Sequence, residues 1–287
     1  MSTSAATLDF VTATAVGNAA GGGARLVRPL HVRGVSKYFT VNEEPLHVLD
    51  DINFTIQPGE FVSIVGTSGC GKSTLQRLIA GLDGDYEGYI ALANEVVRGT
   101  SLDRGVVFQD HRLLPWLTIE DNIGLALENT KLSAEQRRTT IREHIELVGL
   151  TGFEKVFPHQ LSGGMAQRAA IARGLVNRPE ILLLDEPLGA LDAMTRIHLQ
   201  DELQRIWKKE GITMVLITHD VEEAIYLSDR IVVLEPRPGR VRGIVKVPLA
   251  RPRDRVSHPF ADVKREVLEL MAINKPAPTS TLLGQDI

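Results

Sequence analysis

An α/β fold is predicted by three observations. Short aliphatic, β-branched runs at residues 61–65, 181–184 and 213–218 have the length and composition of buried strands. Stretches of helical spacing, beginning with residues 74–80, alternate with them. The chain's 287 residues, 43% of them hydrophobic, suffice for a substantial core in one large or two small domains. Further strands are expected near residues 30–36, 50–56, 88–93 and 104–109.

The run 61–65 leads straight into Gly66-Thr67-Ser68-Gly69-Cys70-Gly71-Lys72-Ser73, and Thr74 opens a helix. Strand, glycine loop and helix in that order is the context in which this pattern binds phosphate. The glycines let successive backbone N–H groups turn inward around phosphate oxygens, and the helix start adds partial positive charge. Lys72 is expected to reach the β- and γ-phosphates of a nucleotide, and the Ser73 hydroxyl to ligate Mg²⁺. Cys70, the one cysteine, has two readings: a small tolerated residue, or a thiol made oxidisable by the helix start. A single cysteine forms no internal disulfide, in keeping with a reducing compartment.

The strand at 181–184 delivers Asp185-Glu186-Pro187. A carboxylate at a buried strand's mouth beside the P-loop suits Mg²⁺ binding by Asp185, direct or through water. Glu186 is placed to be the general base for an attacking water. His219, at the end of the strand 213–218, can contact the γ-phosphate, although a lone histidine is more often structural. A second anion site is expected at Leu161-Ser162-Gly163-Gly164-Met165, where Ser162 is a good N-cap for a helix over 166–176.

Residues 1–28, rich in Ala, Thr, Ser and Gly, are expected to form a disordered tail, and no basic region precedes an apolar core as in a signal peptide. Residues 29–250 form the main domain, with a helical insertion at about 118–178. The C-terminal extension, 251–287, is basic and proline-broken at first, then amphipathic and helical near 258–272. No run approaches the ~18 apolar residues of a membrane span. The net charge of −4 argues against broad nucleic-acid binding.

Taken in order, the motifs resemble the nucleotide-binding subunit of an ABC transporter over about residues 30–250. Gln109 in Val106-Val107-Phe108-Gln109 matches the Q-loop, and 161–165 with Gln167-Arg168 matches the signature, Met165 standing where Gln or Glu is usual. Ala190-Leu191-Asp192 matches the D-loop and His219 the H-loop. Phe39 matches the aromatic that stacks on adenine, with its neighbour Tyr38 as the alternative. The resemblance implies a P-loop NTPase (ABC ATPase) core with an antiparallel β subdomain and an inserted α-helical subdomain. It implies Mg²⁺-dependent ATP hydrolysis in which Lys72, Gln109, Glu186 and His219 are catalytic and Ser73, Gln109 and Asp185 organise the metal. Two chains would pair head to tail as a homodimer, each ATP held between residues Gly66 to Thr74 of one and Ser162, Gly163 and Gly164 of the other, with Asp192 also at the nucleotide.

Leu113-Leu114-Pro115-Trp116 follows the Q-loop. One reading is local packing of the helical arm; the other, which the resemblance favours, is contact with a short helix of a membrane permease. The segment 108–118, with 218–241, resembles the nitrate, sulfonate and taurine importer branch, aliphatic sulfonate first and taurine or nitrate close behind. This implies a peripheral place on the cytoplasmic face of the inner membrane and an extracytoplasmic binding protein as indirect partner. An exporter ATPase shares every catalytic motif. A soluble ABC ATPase would show a long coiled-coil insertion or two cassettes, and a P-loop kinase or GTPase would not need Ser162, Gln109 and His219 together.

Overall fold

The computed structural model describes residues 14–16 and 25–272. Strand Phe61–Gly66 is buried at every position and lies inside a six-stranded sheet. The strand order is Arg240–Lys246, Arg230–Glu235, Phe61–Gly66, Thr213–Thr218, Ile181–Asp185, Arg104–Val107. All neighbours are parallel except Arg240–Lys246, which is antiparallel to Arg230–Glu235. Both faces of the sheet are covered, which is why its inner strands read as continuous apolar runs. Side chains still alternate: Phe61 and Val65 join one core, Val62 and Ile64 the other.

The second core is closed by an antiparallel sheet in the order Glu44–Ile56, Leu30–Val41, Glu87–Leu92, Glu95–Val96. The first core receives the helical arm, Ile119–Gly124, Ala134–Leu147 and Gly163–Leu175. Thr118 caps the first of these helices, and Ser133 with Gln136 forms a capping box on the second. The third starts at Gly163, three residues before the expected 166. The Ser162 hydroxyl accepts from the Met165 N–H at 3.3 Å, so the glycine pair forms a capped first turn.

Of the tail expected to be disordered, Thr14–Val16 and Arg25–Val27 pair antiparallel, and the residues around them lie outside the described ones. Arg28 is fixed between the two sheets by Glu180 at 2.7 Å and Glu95 at 2.6 Å. Residues 251–272 lie against the main domain. Helix His258–Ala272 buries Phe260, Val263 and Val267 in the first core. Before it, the buried Arg253 guanidinium donates to the carbonyls of Tyr226, Ser228 and Val247 at 3.1, 2.7 and 3.2 Å. No helix among the described residues is long and apolar enough to cross a membrane.

The buried anchor sets a testable cost. Phe260→Ala is expected to destabilise the protein by about 3–5 kcal/mol through lost burial and a residual cavity. Urea unfolding of the full chain measures it.

Candidate functional site

Strand register builds the site. Thr218 pairs with Val65 and Ile217 with Asp185, so the ends of three parallel strands deliver Gly66, Asp185 and His219 to one edge of the sheet. A cleft of about 550 Å³ opens there, lined by Val48, Ser68, Gly69, Gly71, Lys72, Ser73, Thr74, Glu186 and His219. The loop's tightness depends on two glycines. A Cβ at Gly66 would lie 2.6 Å from Cys70 Sγ and 2.7 Å from the Leu234 carbonyl oxygen. Gly71 has a left-handed φ of 90°, and a Cβ there would meet Leu49 at 2.5 Å.

Lys72 is buried, its ammonium donating to the Gly66 carbonyl at 2.9 Å and the Thr67 carbonyl at 3.2 Å. The Ser73 hydroxyl stands 3.5 Å from Asp185 Oδ1. Burial, then the neighbouring Glu186, pushes the Asp185 carboxyl above the usual carboxylate range, while Ser73, Lys72 and Arg112 oppose that shift. Glu186 Oε2 lies 3.1 Å from His219 Nδ1. Glu186 has a left-handed φ of 44°, a conformation a side chain disfavours and one that clusters at working sites. Cys70 is buried behind the loop and that burial pushes its thiol up, which favours the small tolerated residue over the oxidisable thiol.

One hydroxyl and one carboxylate are hard oxygen donors that suit Mg²⁺, which ordinarily completes its shell with phosphate and water rather than a protein cage. Among the described residues there is no group of three or more histidine, cysteine, aspartate or glutamate side chains that could hold a metal ion.

The other expected residues are distributed around this cleft. Gln109 lines a second cleft with Gly163, Gln167, Pro187 and Leu191, and a Cβ at Gly189 would lie 3.5 Å from Gln109 Nε2 and 3.8 Å from Glu186 Oε2, so the amide stands near the carboxylate pair. Asp192 caps helix Ala193–Glu210, accepting from the N–H groups of Met194 and Thr195 at 3.1 and 3.0 Å. Phe39 is 38% exposed on the hairpin beside the cleft, and Tyr38 stacks on His47 at 4.2 Å between ring centres. Ser162, Gly163 and Gly164 do not line the cleft that holds Lys72. The loop after Gln109 is bonded to the signature helix. Arg173 donates to the carbonyls of His111 and Arg112 at 2.8 Å each, and Gln167 donates to that of Phe108 at 3.3 Å.

Beyond that point the buried Asn122 holds the loop, accepting from the Leu114 N–H at 2.7 Å and donating to the carbonyls of Leu114, Leu117 and Thr118. Trp116 is thereby held out at 70% exposure, whereas Leu113 is buried in the arm's core. Leu113 is therefore corrected from a surface contact to a packing residue.

Sequence reasoning missed Val48, Gln76 and Glu223. Val48 reaches the cleft from a distant strand, and no local signal marks it. The Glu223 carboxyl is buried behind the strand that carries His219, accepting from the Thr218 hydroxyl at 2.5 Å with its other oxygen unpartnered. Burial pushes it up to about 7.

A model of the ABC transporter family matches residues 49–189. The aliphatic sulfonates import ATP-binding protein SsuB of Bacillus cereus is 47% identical over 238 residues, covering 83% of this chain and 94% of that protein. The chain belongs to the ABC transporter ATP-binding proteins. The bicarbonate transport ATP-binding protein CmpC of Synechocystis is 46% identical over 83% of this ABC ATPase, which spans 37% of that longer protein. A solved dimeric, post-hydrolysis structure of the ATP-binding cassette MJ0796, bound to ADP and Pi, is 35% identical with a TM-score of 0.67, covering 76% of this chain and 98% of that one. ATP binding and hydrolysis thus follow from family membership as well as from the cleft.

The shift at Glu223 makes stability depend on pH. Its carboxyl is favoured neutral in the fold, so its contribution is complete below its ordinary value of 4.5 and is lost as pH rises through about 7. Asp220 raises this value further, while Arg196 and His219 oppose the shift. Glu223→Gln, fixed in the neutral form, is expected to raise the melting temperature relative to the unsubstituted protein at pH 8 and change it little at pH 5. Thermal melts at the two pH values check this.

Proposed function

We propose that this ABC ATPase powers import of a small anion, aliphatic sulfonates first, as a homodimer on the cytoplasmic face of a membrane permease. The observation that carries the import reading is 47% identity across 94% of a protein named for aliphatic sulfonate import. Taurine and nitrate are the neighbouring readings, and the likeness to a bicarbonate transport protein keeps an inorganic anion among the alternatives.

In this reading Lys72 and the loop N–H groups neutralise phosphate charge as the γ-phosphoryl group is transferred. Ser73 and Asp185 would hold Mg²⁺, which would supply positive charge against the phosphates. Glu186 takes a proton from the attacking water as its oxygen bonds to the γ-phosphorus and the bond to the β–γ bridging oxygen breaks. His219, bonded to Glu186, holds that carboxylate and the γ-phosphate in place. Phe39 stacks on the adenine. Ser162, Gly163 and Gly164 are directed to the nucleotide of the second copy, because they stand outside the cleft of their own chain. Gln109 would add an oxygen donor to that metal, and Asp192 would lie at the nucleotide. Leu114, Pro115 and Trp116 meet the permease, and a binding protein outside the membrane selects the cargo.

Glu186→Gln is expected to keep ATP affinity and lose nearly all turnover, checked by nucleotide titration and phosphate release. Cells lacking this chain should fail to grow on an alkanesulfonate as sole sulfur source and recover with the unsubstituted chain but not with Glu186→Gln. Normal growth of the deleted strain on alkanesulfonate, taurine and nitrate alike would sink the cargo reading. Trp116→Ala is expected to leave the isolated subunit's ATPase rate intact while weakening co-purification with the permease.

A further inference from the structure

Helix Lys72–Ala80 buries a second polar side chain, Gln76, besides Lys72. Gln76 is 3% exposed, and its helix neighbours Leu75, Leu78 and Ile79 are fully buried. An amide buried there without partners would be costly, so what it touches matters. It touches Asp185. A carboxylate only accepts, so the amide nitrogen must face it, and in that orientation it donates to Oδ1 at 3.2 Å and Oδ2 at 3.1 Å. Ser73, three residues earlier and therefore on the same helix face, turns its hydroxyl to the same carboxylate at 3.5 Å. Two side chains of one helical turn thus converge on the carboxylate that ends the neighbouring strand. Hydrogen bonds to a charged acceptor are the stronger kind and fix its orientation.

We propose that Gln76 is a positioning residue for the metal site: its amide fixes the plane of the Asp185 carboxylate and supports its charge, so that Asp185 presents a ready oxygen to the metal of the bound metal–nucleotide complex. The inference rests on Asp185 being the metal-holding carboxylate. Groups that orient metal ligands from behind change metal affinity by about 10–100-fold when removed. A residue that merely filled space would instead change stability and leave metal affinity alone.

The test is Mn²⁺ binding to the full chain with saturating ADP, followed by electron paramagnetic resonance. Gln76→Met keeps the volume and removes the donor; it is expected to weaken Mn²⁺ binding about tenfold. ADP affinity measured in EDTA and the melting temperature should stay as in the unsubstituted protein. Gln76→Leu is the second variant, should the methionine fail to fold. Asp185→Asn is run beside them. Unchanged Mn²⁺ affinity in Gln76→Met, with affinity lost in Asp185→Asn, overturns the proposal and leaves the reading of Asp185 standing. Unchanged affinity in both variants overturns that reading and the proposal with it. A matching loss of ADP affinity in EDTA assigns Gln76 to the loop's packing and also overturns the proposal.

Discussion

Parallel pairing of Phe61–Gly66 with Thr213–Thr218, and of that strand with Ile181–Asp185, is the constraint from which the site follows. Parallel strands end at the same edge, so a glycine loop, a carboxylate pair and a histidine from three distant stretches meet without any of them reaching far. A shift of one residue in either register would turn each strand's side chains to the opposite core. The two cores lock that register. Phe61 and Val65 belong to the cluster under the helical arm, and Val62 and Ile64 to the cluster under the antiparallel sheet.

Charge sets the second constraint. The strand edge brings Asp185 and Glu186 together, and burial, then the nearby Glu186, both work against the ionised form of Asp185. The chain compensates locally, with donors from Ser73 and Gln76 on one carboxylate and the His219 ring on the other. Glu223, one layer behind, has no cation bonded to it, and its environment favours the neutral carboxyl instead. Neighbouring acids are thus held in different ways by what faces each of them.

The parts legible in the sequence were those with local grammar. The P-loop, the strand before Asp185-Glu186 and the Ser162 cap are each written in consecutive residues, and the terminal helix near 258–272 showed itself through its spacing. What was not legible depends on which face of an element is covered. Gln76 reads as an ordinary polar helix residue until Asp185 is placed against it. Glu223 follows Glu222 at a helix start, where two acids suggest solvent, yet only Glu222 faces it. Leu113 and Trp116 lie in one apolar run, and only the fold of the loop around Asn122 divides them into one buried and one exposed residue. Residues 251–272 looked separable because they open on a basic, proline-broken stretch, but Phe260 and Arg253 fasten them to the core.

The bonds from Arg173 and Gln167 to the backbone of residues 108–112 tie the arm to that loop. The helix that begins at Gly163 and the loop that carries Trp116 form one lever, because neither can be displaced far without breaking bonds to the other. Thermodynamic reciprocity then applies along its length. If holding the Trp116 end shifts how firmly an anion is held at Gly163, then an anion at Gly163 shifts the hold at Trp116 by the same factor.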